Sequence, residues 1–345
     1  MPSPVSAHAL PLVLDRRARP LHDLRISVTD RCNFRCPYCM PAEVYGERYE
    51  FLPRREILSF EEIERLARLF TALGVQKLRI TGGEPLLRAE LPELVRKLAA
   101  LERAPDLALT TNGTLLAEQA EGLARAGLRR ITVSLDSLDE AVFEQMNGRG
   151  FPLARVLEGL AAAQRAGLAP IKLNCVVQRG VNDHTLVALA ERFRGTGIIV
   201  RFIEFMDVGT LNHWDRAQVF SAREIRDAIH AAFPLEPLGA SYRGEVAQRY
   251  RYVDGAGEIG IIGSVTQPFC GDCTRARLSA DGHLFTCLFA TSGIDLKTPL
   301  RSGVGDDALA ALLAGVWRAR GDRYSEERAE SAARREKIEM FRIGG

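Results

Sequence analysis

Three cysteines near the start of the chain could hold a metal cluster: Cys32, Cys36 and Cys39, in the spacing C-x3-C-x2-C. Soft thiolate ligands at such short spacing suit iron–sulfur clusters. A cube of four irons needs four ligands, so three cysteines would leave one iron open to a small molecule, much as a catalytic metal keeps one open position. Tyr38, directly before the third cysteine, can pack over whatever binds that iron. A zinc site is less suitable here because no fourth ligand lies nearby.

A second cysteine set lies near the other end of the chain: Cys270, Cys273 and Cys287, in the spacing C-x2-C-x13-C. Two kinds of metal site fit this spacing. His283 lies between the second and third cysteine, so the four residues could form a Cys3His zinc site. The alternative is a second iron–sulfur cluster with one open iron. Two arginines favour the cluster, because Arg275 and Arg277 would alternate on a strand, face the same side and suit a polyphosphate.

The rest of the chain must position these two sets, and from residue 24 it alternates short β-rich runs with helical patterns. Strands are predicted at 24–28, 77–81, 107–111, 130–135, 171–177 and 200–205. Helices are predicted to begin at a capping box over 59–62 and to follow at 91–101, 115–125, 152–165 and 184–194. This alternation predicts an α/β fold with a parallel sheet and right-handed crossovers. Six units are too few for an eight-fold barrel, so we expect a partial (β/α)6 barrel that is open on one side.

The β–α alternation ends after residue 208. A helix near 221–233 and antiparallel strands at 249–253 and 259–262 are predicted there, so a smaller C-terminal α+β region should follow the barrel. The predicted domains are a mobile N-terminal lead-in over 1–20, the barrel over 21–210, the C-terminal region with the second cysteine set over 211–320, and a tail over 321–345 that ends in Gly344-Gly345.

Chemistry in barrel-like α/β folds collects at the carboxyl ends of the strands, and the unusual residues of this chain fall there. The first cysteine set follows the first strand. The turn Gly82-Gly83-Glu84 follows the second strand, where two glycines would let the backbone come close to a ligand. Thr110 ends the third strand, Ser134 ends the fourth, and Met206 follows the sixth.

The first cysteine loop with Tyr38 and the turn Thr81-Gly82-Gly83-Glu84-Pro85 together resemble the radical S-adenosylmethionine (SAM) family. The resemblance implies a partial TIM-like barrel, a 4Fe–4S cluster held by the first cysteine set, and SAM bound at its open iron. Glu84 would offer a carboxylate to the ammonium group of SAM. The implied SAM contacts are Tyr38, Gly83, Glu84, Ser134 and Met206. Strand-end packing alone would also explain Ser134 and Met206.

A closer resemblance rests on the run from Asp23 to Cys32, the stretch CGDCTRARLSADG and the terminal glycine pair. These are similar to the GTP 3′,8-cyclase family of radical SAM enzymes, which begins molybdenum cofactor synthesis. The resemblance implies a second 4Fe–4S cluster on Cys270, Cys273 and Cys287, and a pair Gly344-Gly345 that enters the active-site channel. It implies GTP contacts at Arg25, Arg79, Thr110, Lys172, Arg275, Ala276 and Arg277. The implied catalytic residues are Cys32, Cys36, Cys39, Arg275 and Arg277.

In the implied reaction, a radical derived from SAM removes the hydrogen at ribose C3′ of GTP, and the carbon radical attacks C8 of guanine. The product is 3′,8-cyclo-7,8-dihydroguanosine 5′-triphosphate. The implied partners are GTP, SAM, an external electron donor such as a flavodoxin or ferredoxin, the downstream cyclic pyranopterin monophosphate synthase, and a second copy of the chain in a homodimer. A radical SAM enzyme that modifies peptides, with an auxiliary cluster, is the alternative within the same superfamily.

Composition narrows the remaining classes of protein. The net charge of +2 over 345 residues and the lack of a stripe of basic and aromatic residues argue against a zinc-stabilised nucleic-acid-binding protein. The apolar run over 9–14 is too short for a signal peptide or a membrane span. Seven cysteines without such a signal suit metal chemistry in a reducing compartment, so a cytoplasmic protein is predicted.

Overall fold

One continuous sheet runs through the parts of the chain that the computed structural model describes, which are residues 12–103, 105–328 and 336–344. Its strands are β1 Asp23–Ser27, β2 Lys77–Thr81, β3 Asp106–Thr111, β4 Arg130–Ser134, β5 Ile171–Val177, β6 Ile199–Glu204, β7 Leu235–Leu238, β8 Gln248–Tyr252, β9 Glu258–Ile262, β10 Arg275–Leu278, β11 His283–Phe285 and β12 Ile294–Asp295. Within the described residues their spatial order is β12-β11-β10-β1-β2-β3-β4-β5-β6-β9-β8-β7. Strands β1 to β6 all run parallel to their neighbours.

Eleven helices accompany this sheet in the described residues, and the first six of them lie in the connections between the parallel strands β1 to β6. They are α1 Phe60–Ala72, α2 Leu91–Ala99, α3 Leu116–Arg125, α4 Glu140–Asn147, α5 Leu153–Arg165, α6 Leu186–Phe193, α7 Ala222–Ala232, α8 Lys297–Arg301, α9 Asp306–Ala319, α10 Tyr324–Glu327 and α11 Met340–Ile343. The predicted capping box is confirmed at the start of α1, where the Ser59 hydroxyl accepts the N–H of Glu62 at 3.2 Å and Glu62 Oε2 accepts the N–H of Ser59 at 2.7 Å. In the described residues, no helix combines the length and the apolar character that crossing a bilayer requires.

The predicted partial barrel of six β–α units and its smaller C-terminal α+β region are confirmed. Strands β2 and β5 have the predicted bounds, and β8 and β9 form the predicted antiparallel pair. The elements with no counterpart in the prediction are α4, α8, α9, α10 and α11 and the strands β7, β11 and β12. The C-terminal strands extend the barrel sheet at both edges, because β10 pairs in parallel with β1 and β9 pairs in parallel with β6. The domain boundary near residue 210 stays a prediction.

The barrel strands alternate between an apolar outer face and a polar inner face. On β1, Leu24 and Ile26 are fully buried in the core, whereas Arg25 between them lines the inside of the barrel. On β2, Leu78 and Ile80 repeat this pattern on either side of an arginine at position 79. Parallel barrels are usually filled by branched apolar side chains. Burying charged groups inside a barrel costs free energy unless an opposite charge pairs with them. The interior of this barrel is therefore the candidate ligand site.

The N-terminal segment differs from the mobile lead-in predicted over 1–20. Residues 1–11 lie outside the described part of the chain. In the rest of the segment, Leu14 pairs with Pro20 in a β-bridge, and Asp15 and Arg19 are 7% and 0% exposed. Arg19 Nε lies 2.6 Å from Asp15 Oδ2. The difference arises because a charged, proline-containing stretch reads as exposed in sequence, whereas here its charges pair with each other.

Helix α5 approaches the loop after β3 very closely at Gly159. A methyl group at this position would lie 2.7 Å from the carbonyl oxygen of Gly113 and 3.0 Å from Cβ of Leu116. Gly315, in α9, is a helical glycine without a close neighbour. It is exposed, and a methyl group there would meet no atom within 4 Å.

We expect Gly159→Ala to lower the free energy of unfolding by about 1–3 kcal/mol, because overpacking outweighs the better helix propensity of alanine. The control Gly315→Ala should raise it by about 0.5–1 kcal/mol, since nothing obstructs the added methyl group. Urea unfolding followed by circular dichroism measures both. Equal effects of the two substitutions would contradict the close approach.

Candidate active site

The inside of the partial barrel contains a cavity with about 1860 Å³ of empty space, part of it open to solvent. Both cysteine sets line this cavity. They are Cys32, Cys36 and Cys39 from the loop after β1, Cys270 and Cys273 from the segment before β10, and Cys287 from the segment after β11. One cavity therefore connects the two sites that the sequence predicted.

The register between β1 and β10 sets the distance between the two cysteine sets. Arg275, two residues after Cys273, pairs with Asp23 at the start of β1, whereas Cys32 follows Ser27, the last residue of the same strand. The four steps from Asp23 to Ser27 span roughly 13 Å at the usual rise of a strand. The cysteine sets thus lie towards opposite ends of the cavity, with the inner face of β1 between them.

A buried arginine fixes the shape of the first cysteine loop. The guanidinium of Arg35 donates to the carbonyl oxygens of Cys32 and Phe34, both at 2.7 Å, and to that of Tyr45. The N–H of Phe34 lies 3.4 Å from Sγ of Cys32. All seven cysteines of the chain are free thiols. The loop is therefore held by hydrogen bonds to its backbone, with its thiols available.

Burial disfavours the charged form of the first three thiols unless a cation accompanies them. It raises the pKa of Cys32 to about 12, and it also raises the pKa of Cys36 and of Cys39. Metal binding requires thiolates and supplies the missing positive charge. Three partly buried thiols on one loop, all lining the cavity, therefore fit an iron–sulfur cluster with an open iron.

The glycine turn after β2 is pressed against the first cysteine loop. The N–H of Gly83 donates to the carbonyl oxygen of Thr29 at 2.8 Å, and the N–H of Glu84 donates to that of Arg31 at 2.7 Å. A side chain at position 83 would begin 2.3 Å from the Arg31 carbonyl oxygen, so only glycine fits. The close approach that the sequence predicted is made to the cysteine loop. An approach to SAM stays a prediction.

The carboxylate of Glu84 is 1% exposed and lines the cavity. It accepts hydrogen bonds from Oγ1 of Thr111 at 2.6 Å and from the N–H of Asn112 at 2.7 Å. Burial nevertheless raises the pKa of Glu84 to about 7. A cation beside it would stabilise the charged form, so this position suits the ammonium group of a ligand.

The other predicted SAM residues line the same cavity: Tyr38, Ser134 and Met206. The hydroxyl of Tyr38 donates to Oδ2 of Asp136 at 2.7 Å, and Oδ1 of the same carboxylate accepts the N–H of Val176 at 2.8 Å. Burial raises the pKa of Asp136 to about 6. Asp136 therefore orients the tyrosine of the first cysteine loop, a role that its position at a strand end did not reveal in the sequence.

Arginines from neighbouring strands meet on the inner face of the barrel. Arg277 of β10 lies directly opposite Arg25 of β1, which lies directly opposite Arg79 of β2. Arg275 of β10 and Arg201 of β6 line the same cavity. Burial, followed by the charge of neighbouring arginines, lowers the pKa of Arg201 and of Arg277 to about 9. The five side chains form one concentrated positive surface, which we call the arginine row.

Within the described residues, no member of the arginine row is ion-paired with a carboxylate. Arg79 donates to the hydroxyls of Thr110 and Thr132 at 2.9 and 3.0 Å, and Arg201 donates to Thr132 at 3.2 Å. The Nε atoms of Arg201 and Arg275 are buried and make no hydrogen bond within the described part of the chain. A multiply charged anion would stabilise these mutually repelling cations and would accept hydrogen bonds from their unused N–H groups.

Sequence reasoning missed Arg201. A signal was present, because Arg201, like Arg25 and Arg79, is a charged residue inside an otherwise apolar strand. Two predicted GTP residues lie away from the main cavity. Lys172 lines a smaller pocket that adjoins the arginine row, where burial lowers its pKa to about 8. The methyl group of Ala276 is buried at 1% exposure and does not line the cavity.

The second cysteine set is in contact with the arginine row. Nη2 of Arg275 lies 3.4 Å from Sγ of Cys273. Burial would raise the pKa of Cys273, but the charges of Arg275 and Arg320 outweigh it and lower this pKa to about 6. Burial raises the pKa of Cys287 to about 11. A thiolate is therefore favoured at one cysteine of the set, which suits a metal group.

His283, the fourth ligand of the alternative zinc site, does not line the cavity. Its Nδ1 lies 3.3 Å from Oδ1 of Asp281, and its ring lies beside that of Phe285. The Cys3His arrangement is not formed.

The C-terminal tail reaches the arginine row. Nη1 of Arg277 donates to the carbonyl oxygen of Gly344. Farther back along the tail, Nζ of Lys337 lies 2.6 Å from Oδ2 of Asp207. Gly345, the second residue of the predicted terminal pair, lies outside the described residues.

Two family descriptions match adjoining parts of the chain: residues 26–193 match the Radical SAM superfamily, and residues 198–326 match Molybdenum Cofactor Synthesis C. The fold, the first cysteine loop and the first match define a radical SAM protein.

Relatives named "GTP 3′,8-cyclase" occur in Xanthomonas campestris pv. campestris (strain 8004), with 56% identity over 96% of this chain and 97% of the relative, and in Acidothermus cellulolyticus, with 56% identity over 92% and 89%. A third, in Staphylococcus carnosus, is 48% identical over 96% and 99%. The chain belongs to the GTP 3′,8-cyclase family.

After removal of any bound iron under reducing conditions, we expect iodoacetamide at pH 7 to label Cys273 before Cys287, because the thiolate is the reactive form and their pKa values are about 6 and about 11. Between pH 7 and 9, labelling of Cys287 should rise roughly 100-fold while that of Cys273 changes little, since Cys273 is already deprotonated. Peptide mass spectrometry measures both rates. In urea-unfolded protein the two cysteines should react alike; equal rates in the folded protein would contradict the assigned environments.

Proposed function

We propose that this protein is a radical SAM GTP 3′,8-cyclase, which converts GTP to 3′,8-cyclo-7,8-dihydroguanosine 5′-triphosphate in the first step of molybdenum cofactor biosynthesis. Relatives with 48–56% identity over nearly the whole chain bear this name, and both family matches agree with it. The observation that carries the proposal is the arginine row between two cysteine sets, which is ion-paired with no carboxylate in the described part of the chain. A triphosphate supplies the negative charge that this row lacks.

Membership of the radical SAM superfamily implies a 4Fe–4S cluster and SAM. The first cysteine set would hold this cluster. The residues around SAM would be Tyr38, Gly83, Glu84, Ser134 and Met206. When bound, the cluster and SAM supply an electron and a carbon-centred radical. The chain itself would accept the ammonium group of SAM at Glu84, whose buried carboxylate gains from a nearby cation.

The second cysteine set would hold a second 4Fe–4S cluster rather than zinc. The position of His283 beside Asp281 and Phe285 supports this, because a Cys3His site needs the imidazole at the thiols. The 3.4 Å contact between Arg275 and Cys273 supports it as well, since a closed structural zinc site needs no arginine at its ligands. The guanine of GTP would bind beside the iron that lacks a protein ligand.

The arginine row would hold the phosphates of GTP from several strands at once. Thr110 would assist by fixing Arg79, to which it is hydrogen-bonded, and Lys172 would approach from the adjoining pocket. Ring closure between ribose C3′ and guanine C8 needs the two carbons in near-attack geometry and water kept out. The tail would help to exclude water. A side chain at Gly344 would begin 2.4 Å from Cγ2 of Thr81, which supports a glycine there.

The family assignment does not favour the two alternatives that sequence alone left open, a peptide-modifying radical SAM enzyme and a zinc-stabilised nucleic-acid-binding protein. The proposal includes a flavodoxin or ferredoxin as electron donor, the cyclic pyranopterin monophosphate synthase as the next enzyme, a cytoplasmic location and a homodimer. The location follows from the use of cysteine in the chain, and the other three points follow from the family resemblance.

We expect Arg275→Ala, Arg277→Ala and Arg201→Ala each to weaken GTP binding by roughly 10- to 100-fold, because each removes a charged hydrogen-bond donor worth about 1.5–3 kcal/mol. SAM cleavage without GTP should persist, since these side chains lie away from the first cysteine loop. Anaerobic equilibrium binding of GTP and release of 5′-deoxyadenosine measure the two effects. Arg251→Ala is the control, because Arg251 is exposed and paired with Glu236. Parallel loss of both activities would indicate a structural role instead.

We expect Cys287→Ser to reduce the iron content from about eight to about four atoms per chain, because the first cluster keeps all its ligands. Cys175→Ser is the matched control: Cys175 is a buried cysteine outside both sets, and its replacement should leave the iron content unchanged. Iron and sulfide analysis after anaerobic reconstitution measures this. A fall to near zero in Cys287→Ser would contradict two independent sites.

A further inference from the structure

Three buried charged side chains meet next to the second cysteine set: Asp15 and Arg19 from the N-terminal segment, and Arg320 from the end of α9. Their side chains are 0%, 0% and 1% exposed. Oδ2 of Asp15 accepts a hydrogen bond from Nε of Arg19 at 2.6 Å and another from Nη1 of Arg320 at 3.1 Å. One carboxylate therefore holds two guanidinium groups side by side.

Each guanidinium group bonds the backbone at or beside a cysteine of the second set. Nη1 of Arg19 donates to the carbonyl oxygen of Cys270 at 2.6 Å, and Nη1 of Arg320 donates to that of Cys273 at 2.7 Å. Nε of Arg320 donates to the carbonyl oxygen of Thr286, the residue before the third cysteine, at 3.1 Å. All three cysteines are thus held through peptide groups by two side chains.

Packing fixes the orientation of these guanidinium groups. The guanidinium of Arg320 lies 4.5 Å from the ring centre of Trp317, and Nε1 of Trp317 donates to the carbonyl oxygen of Arg19 at 3.0 Å. The first cysteine loop has a comparable device in Arg35, which bonds the carbonyl oxygen of Cys32. The second set differs because its arginines come from both ends of the chain, so its geometry depends on the folded whole.

We propose that Asp15, Arg19 and Arg320 are positioning residues for the second iron–sulfur cluster: the two guanidinium groups hold the backbone of its cysteine ligands, and the charge of Arg320 favours the reduced, more negative cluster. The inference rests on the proposed function, since it needs an iron–sulfur cluster at the second set. Partners of this kind, one shell beyond the ligands, commonly change metal affinity by 10- to 100-fold when they are replaced.

The test uses the full-length chain with Cys32, Cys36 and Cys39 all replaced by serine, so that only the second set can hold a cluster. Arg320→Met and Asp15→Asn should each accelerate the loss of iron to a chelator by roughly 10-fold or more, because the carbonyl groups lose their donors or the donors lose their anchor. Arg320→Met should also lower the midpoint potential, measured by redox titration with electron paramagnetic resonance, because reduction adds negative charge.

Arg320→Lys separates geometry from charge. Lysine keeps the charge and lacks the planar fork that bonds two carbonyl oxygens, so iron loss should accelerate while the midpoint potential stays near that of the parent. Arg301→Met is the matched control, because Arg301 also bonds two carbonyl oxygens, of Arg55 and Ile57, and pairs with Glu62, but does not line the cavity. It should change neither quantity.

The measured iron loss and midpoint potential separate a failure of the positioning role from a failure of the proposed function. Faster iron loss in Arg320→Met and Arg320→Lys, with a lowered potential only in the methionine variant, would support the positioning role. Iron loss and potential equal to the parent in Asp15→Asn, Arg320→Met and Arg320→Lys would overturn the role and leave the second cluster in place. A parent protein that binds zinc, or no iron, would overturn the second cluster and this inference together.

Discussion

Like charges placed directly opposite each other on neighbouring strands repel, and the parallel register of β10, β1 and β2 imposes this arrangement on Arg277, Arg25 and Arg79. No carboxylate within the described residues is ion-paired with them, so the barrel interior carries an electrostatic cost that a bound anion relieves. The same register fixes the cysteine sets, since one follows β1 and the other precedes β10. One backbone constraint therefore brings the positive charge and both candidate iron sites into a single cavity.

Features that depend on neighbouring residues could be predicted from the sequence, and features that depend on distant pairing could not. The capping box at Ser59 and the bounds of β2 and β5 follow from local pattern, and the structure has them where the pattern indicates. The pairing of β1 with β10 joins residues about 250 positions apart, and no periodicity encodes it. The sequence therefore predicted a barrel and a C-terminal region, but not that their strands form one sheet.

The residues of the candidate site also divide into those that local sequence could predict and those that depend on distant contacts. The two cysteine sets were predictable because thiolate spacing is local and chemically specific. Arg201 and Asp136 were not assigned, since their importance depends on which side chains face them across the barrel. Asp15 and Arg19 fell within the predicted mobile lead-in, and only the fold shows that each is buried against the other. The sequence gives no sign of which distant residue a charged side chain will pair with. The cysteines of a metal-binding motif, by contrast, lie close together in the sequence.

The five residues of β1 separate the two cysteine sets, so the length of this strand determines how long a molecule the cavity can take. A relative adapted to a larger substrate would need extra residues within β1 and its neighbours, each adding about 3.3 Å. Because side chains alternate along a strand, such growth would have to come in pairs of residues to keep the inward-facing arginines inward. Lengthening these strands would therefore change the separation of the two sets in increments of about two strand residues.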